Sequence, residues 1–285
     1  MNNFDQAYLT LLENVFVNGK FKKDRTGIGT KSITGLMLQH NMADGFPALT
    51  TKKLYFKTMC VELEGFIKAK TNKQWFKDRG CNIWNQWCRP DYVPKNLTDI
   101  ERKKIQLQTN DLGPIYGAQW NKKNDFGESQ IDYVKKQLCY NNSSRRMVVS
   151  AWNHNERYSM ALEPCHVLWQ VVVTDNKLDL LFYMRSVDVF LGMPFDIAEY
   201  ALILMLLAYE YNLTPGILTC FFADTHIYLN QHKAIEEHLS RKNKYFDLPE
   251  LVIKDSFTTF KKFEAEHVEL KNYNYLSALK VEVAV

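Results

Sequence analysis

Residues Tyr200 to Tyr209 are apolar at every position, and no other stretch of the chain constrains its fold as strongly. The run is too short to cross a bilayer, which takes about 20 apolar residues. It predicts instead a helix over Ile197–Tyr209 that is apolar all round and therefore buried. Around it the pattern changes from segment to segment. Helical periodicity marks Asp5–Val17, with Gly19 as a stop, and also Thr51–Lys68 and Ser129–Tyr140. Alternation and β-branched content mark strands at Ser32–Gln39, Met147–Trp152, Val167–Val173, Leu178–Tyr183 and Ile217–Ala223, with Asn176 as a turn residue. Helices and strands are interspersed without regular βαβ alternation, so the class expected is α+β.

The chain has 285 residues, which suits one domain over residues 1–285 and is long enough to bury a sizeable core. The polar stretch 88–112, with Pro90 and Pro94, reads as a variable loop or insertion on that body. Aromatic content of 13% argues against disorder. The 36 basic and 32 acidic residues balance too closely for a nucleic-acid binder, so no specific nucleic acid is expected. The six cysteines form no C-x-x-C pair and no zinc-like spacing, so no metal is expected and the thiols read as reduced. The N-terminus, MNNFDQAY, lacks the basic and apolar regions of a signal peptide. The expectation is a cytoplasmic protein without a membrane segment.

One cysteine stands out. Pro164-Cys165-His166 precedes a β-rich run, with Arg185 one strand away and Arg145-Arg146 before another. A lone cysteine is most often a small buried core residue. Positive charge close to it favours the thiolate and hence a nucleophile. Arginines also bind phosphate bidentately, so Arg25, Arg145, Arg146 and Arg185 are candidates for a dianion site.

The order of motifs adds to this. Along the chain come Asp24-Arg-Thr-Gly-Ile-Gly-Thr30, Gly45-Phe-Pro-Ala-Leu-Thr-Thr-Lys-Lys53 and Ile83-Trp84 with Trp87. Leu112-Gly-Pro-Ile-Tyr-Gly117, Ser144-Arg-Arg146, Ser150-Ala-Trp-Asn153 and Pro164-Cys-His166 follow. Arg185-Ser-Val-Asp-Val-Phe-Leu-Gly192, Pro194-Phe-Asp-Ile-Ala198, Asp224-Thr-His-Ile-Tyr228 and a terminal Val283-Ala-Val285 complete the series. This succession resembles the thymidylate synthase family, which includes the deoxycytidylate hydroxymethylases, from about residue 5 to the last residue.

The resemblance implies a thymidylate synthase-like fold, with a large mixed sheet at a homodimer interface and flanking helices. It implies 5,10-methylenetetrahydrofolate as co-substrate, no metal, and a nucleoside monophosphate as substrate. It assigns Cys165 as nucleophile and Glu62 as acid/base, with Tyr116 and His166 in the pocket. Arg25, Arg185 and Ser186 become phosphate ligands, and Arg145 and Arg146 complete the partner's phosphate site. His226 and Tyr228 take the sugar hydroxyl. Ile83, Trp84, Trp87, Asp188, Leu191, Gly192 and Phe195 form the folate surface, Lys52 lies near the glutamate tail, and Ala284 and Val285 belong to a closing tail.

One departure matters most. Thymidylate synthases carry Asn where this chain has Asp196. The Asn amide suits the uracil edge, whereas cytosine reverses its donor and acceptor, and Asp accepts from the exocyclic amine. Asp196 therefore points to dCMP over dUMP. Met184 and Glu64 resemble the hydroxymethylase branch. The reading taken is a dCMP hydroxymethylase, with a dCMP C5-methyltransferase or a thymidylate synthase as enzyme alternatives. A nucleic-acid-binding regulatory protein that kept the fold is the alternative of another class.

Overall fold

The computed structural model describes residues 2–94 and 97–284. Val285, expected in the closing tail, lies outside them. In chain order the helices are α1 (Asn3–Asn18), α2 (Phe56–Ile67), α3 (Lys73–Lys77), α4 (Asp99–Gln108), α5 (Tyr116–Trp120), α6 (Gln130–Tyr140), α7 (Gly192–Glu210) and α8 (His232–Ser240). The strands are β1 (Lys20–Lys22), β2 (Thr30–Asn41), β3 (Val148–Ser150), β4 (His166–Thr174), β5 (Lys177–Asp188), β6 (Thr214–Tyr228), β7 (Glu250–Ile253) and β8 (Val268–Lys271).

Six strands make one mixed sheet in the order β1-β2-β6-β5-β4-β3. All neighbours are antiparallel except β5 and β6, which run parallel. Parallel neighbours need a long crossover, and α7 provides it. This explains the apolar run: Ile197, Tyr200, Leu202, Ile203, Leu204, Leu206 and Leu207 are all buried, so the helix is covered on nearly every side. Phe182 of β5 stacks on Tyr200, ring centroids 4.1 Å apart, and locks the crossover to the sheet. Burying each of these side chains fully contributes about 1.5–3 kcal/mol. β4 and β5 join through Asp175 and Asn176, both at positive φ, as the turn signal at Asn176 anticipates.

Three expectations shift. The helix expected from Thr51 begins only at Phe56. Thr50 and Thr51 are instead engaged from outside, with the Thr50 carbonyl accepting from Leu276 N–H at 2.8 Å and the Thr51 hydroxyl meeting His238 Nε2 at 2.9 Å. The 88–112 stretch, expected as a loop, contains α4. Its N-terminus is a full capping box between Thr98 and Glu101, and none of its side chains is buried. Strand β5 runs five residues past Tyr183, which carries Arg185, Ser186 and Asp188 to the end of the sheet.

Candidate active site

Cys165 immediately precedes β4 and is fixed by its neighbours. Its backbone N–H donates to the Tyr116 hydroxyl at 2.9 Å, and its carbonyl accepts from Arg185 N–H at 2.9 Å. The Arg185 guanidinium donates from Nε to the Pro164 carbonyl at 2.8 Å and from a terminal nitrogen to the Glu163 carbonyl at 2.7 Å. Arg185 therefore both positions the cysteine loop and places positive charge beside the thiol. Arg185 does act to lower the Cys165 pKa, as expected, but burial outweighs it. Burial pushes the thiol up, Arg185 gives the largest opposing effect, and the net direction is upward.

His166 is the first residue of β4. Burial drives its pKa down to about 3, so the ring is neutral, and its Nδ1 pairs with the Tyr200 hydroxyl at 2.7 Å. Phe66 and Trp84 pack against Tyr116, with centroids 4.9 and 6.0 Å away. Trp84 in turn meets Trp87 edge-on.

Glu62, on α2, is buried beside Trp84. Burial raises its pKa to about 7, and the nearby Trp84 indole N–H offsets part of that rise. The indole nitrogen does not reach hydrogen-bonding geometry. Asp196, on the second turn of α7, is half-buried above Gly192, where an added Cβ would stand 3.4 Å from Asp196 Oδ2. Burial first, then the Glu62 and Asp188 charges, lifts its pKa well above the carboxylate range. The raised pKa favours the protonated form of Asp196, which offers one donor and one acceptor.

At the ends of β5 and β6, Asp188 and His226 are register partners. Asp188 accepts from the backbone N–H groups of Phe190 and Leu191 at 2.9 and 3.0 Å and from Gln231 Nε2 at 2.7 Å. These bonds shape the entry to α7 and occupy both its oxygens. His226 Nδ1 meets Asp224 Oδ1 at 3.2 Å, and its ring lies edge-on to Tyr228. Burial, then the Asp188 and Asp24 charges, pushes the Tyr228 hydroxyl up to about 12. Ser186 lies between, opposite Asp224. Arg25 is exposed in the loop before β2, where Asp24 accepts from Thr26 and Gly29 N–H.

The expected folate residues form two groups. Ile83 and Trp84 lie on a short 3-10 turn, and Trp87 follows it directly. Lys52, Leu191 and Phe195 line a cavity of about 60 Å³ with Leu279 of the C-terminal segment. Lys52 is buried, donates to the Phe190 carbonyl and sits 4.2 Å above the Phe190 ring, which lowers its pKa to about 8 through burial. The tail leading to Ala284 is pinned by Arg241, which donates to the Ser277 carbonyl at 2.7 Å, and by Asn230, which donates to the Glu282 carbonyl at 3.2 Å.

Three expected residues fall elsewhere. Arg145 and Arg146 are exposed before β3, whose Val148 pairs with Gln170. They therefore lie at least four strand positions, about 13 Å, from His166. Glu64 is on α2, but two residues past Glu62 it faces the opposite side of the helix. It accepts from Lys68 at 2.9 Å and from Ala265 N–H at 3.0 Å, away from the cysteine. Sequence reasoning missed Glu199. This acid lies within the most apolar helix, and its charge in that run is the signal that would have found it.

The comparisons with known proteins agree with this geometry. The family model described as thymidylate synthase matches residues 6–285. A thymidylate synthase from Mycoplasma mobile is 39% identical over 98% of this chain and all of that protein. One from Mycoplasma genitalium is 39% identical over the same shares. The chain belongs to the thymidylate synthase family, and is an enzyme that transfers one-carbon groups, with methylenetetrahydrofolate as co-substrate and no required metal.

Proposed function

We propose that this enzyme methylates C5 of a pyrimidine deoxynucleoside monophosphate by the thymidylate synthase route, and takes dCMP ahead of dUMP. The observation that carries the base preference is Asp196, a half-buried acid at the pocket whose raised pKa favours the protonated form. Its O–H donates to cytosine N3 while its carbonyl accepts from the exocyclic amine. Turned over, the same carboxyl meets uracil N3–H and O4, so dUMP also fits. Cytosine N3 is much the stronger acceptor, which tips the balance. The names of the two Mycoplasma relatives favour the second reading, dUMP to dTMP.

The support for a hydroxymethyl product weakens. Glu64 faces away from the pocket, and Met184 is a buried apolar neighbour of His166 across β4 and β5.

The residues divide the work as follows. Cys165 adds to C6 and turns C5 into a carbanion equivalent. Arg185 holds the cysteine loop and favours the thiolate. Glu62, with a pKa near 7, exchanges protons at working pH. The folate supplies the one-carbon unit and the hydride, against the apolar wall of Trp84, Trp87, Leu191 and Phe195. Arg25, Arg185 and Ser186 take the phosphate, and His226 and Tyr228 the sugar.

The enzyme works as a cytoplasmic homodimer on this reading. Phe221 pairs with Met37 on one side and Tyr183 on the other, and all three are exposed on the sheet face opposite α7. Such an apolar patch suits a second copy. The remote Arg145 and Arg146 are then free to reach the partner's phosphate.

The test is a mass spectrum of products from dCMP and dUMP in separate reactions with methylenetetrahydrofolate. Methyl product from both, faster from dCMP, is expected. Asp196→Asn should reverse the order, and Cys165→Ala should bind nucleotide without turnover. Product from dUMP alone overturns the base preference, and a hydroxymethyl product overturns the last step.

A further inference from the structure

Glu199 sits one helical turn below Asp196 on α7, so the two side chains share a face. It is 2% exposed, and among the described residues its Oε1 has no hydrogen-bond partner. Ligand atoms of Glu199, Asp196 and His166 lie within 4.8 Å of one another. An acid sealed at this depth with a free oxygen is costly, and nothing in the reaction as derived above uses it.

We propose that Glu199 is a positioning residue for base choice: from behind, it fixes which oxygen of Asp196 donates and which accepts at the base edge.

Three features support this. Asp196 is reached from the pocket while Glu199 is sealed beneath it, so Glu199 acts on the base only through its neighbour. Burial first, then the acidic neighbours, raises the Glu199 pKa well above the carboxylate range, which favours the protonated, hydrogen-bond-donating form. His166, the third member, has its Nδ1 committed to Tyr200 and is neutral, so it supplies no counter-charge that would ionise either acid. A proton donated by Glu199 to one Asp196 oxygen makes that oxygen the acceptor and leaves the hydroxyl on the other. An Asp196 carboxyl fixed in this way presents a single pattern, whereas one free to turn over serves cytosine and uracil alike.

The inference rests on Asp196 reading the base. The experiment measures kcat/KM for dCMP and dUMP with the wild type, Glu199→Gln and Glu199→Leu, each also in an Asp196→Asn background. Gln keeps a donor and an acceptor, and the dCMP-to-dUMP ratio should stay within about twofold of wild type. Leu removes both, and the ratio should fall about tenfold, the scale of one lost hydrogen bond. With Asn at 196 the Leu substitution should no longer move the ratio, an outcome that a merely structural role would not give. An unchanged ratio in Glu199→Leu overturns the inference, as does an equal shift in the Asn background. A wild-type ratio below one overturns only the dCMP preference, because the shift caused by Leu is read relative to wild type. Where Glu199→Leu does not fold, Glu199→Met carries the same comparison.

Discussion

The Tyr116 ring lies flat against the His166 ring, centroids 4.1 Å apart and planes 18° apart, while its hydroxyl accepts the Cys165 backbone N–H. One side chain thus sets both residues of the Cys-His pair. Tyr116→Phe keeps the stacking and removes the acceptor. The buried N–H left unpaired costs about 1–3 kcal/mol. Steady-state kinetics should show kcat reduced by about tenfold or more, with nucleotide affinity by equilibrium titration changed far less.

Glu62 carries a pH signature of its own. Its folded pKa of about 7 lies above the ordinary 4.5. Between those values the folded chain holds a proton that the unfolded chain has released. The contribution of Glu62 to stability therefore falls as pH rises through that window and is constant above it. Glu62→Gln should melt at a higher temperature than wild type at pH 8 and close to it at pH 4.5. If Glu62 moves protons in the reaction, the limb near pH 7 in the kcat/KM profile should vanish in the same variant, with kcat down about 100-fold or more.

Glu64 should separate stability from product. Glu64→Leu removes the acceptor of the buried Ala265 N–H and the Lys68 pair. A melting experiment should report a loss of about 1–3 kcal/mol. The product mass from either nucleotide should not change. A switch from one product to the other would return Glu64 to the chemistry.

What the sequence reveals follows from how local each signal is. The α7 helix is legible because its apolar run admits no exposed face. The cysteine, the arginines and the tryptophans are legible because they sit in motifs of fixed order. The start of α2 is not, because Thr50 and Thr51 are held by Leu276, His238 and Asp5, partners distant in sequence. The α4 helix had a local signal, the Thr98-x-x-Glu101 capping box, but weak hydrophobic periodicity hid it. The roles of Glu64 and Glu199 depend on which side of a helix faces the pocket, and that is set by packing. Without the fold, the motif comparison places Glu64 beside the chemistry and passes over Glu199.

The pairing of β2 with β6 has a consequence for how the chain is made. Thr30 lies opposite Tyr228 and Asn41 opposite Ile217, so the longest ladder near the N-terminus joins segments almost 200 residues apart. During synthesis at about 5–20 residues per second, β2 waits on the order of ten seconds or more for its neighbour, with the β1 hairpin as its only sheet partner until then. Such distant pairing folds slowly, and the waiting strand exposes an open edge. Yield on expression should therefore depend on translation speed and temperature more than the stability of the finished enzyme suggests.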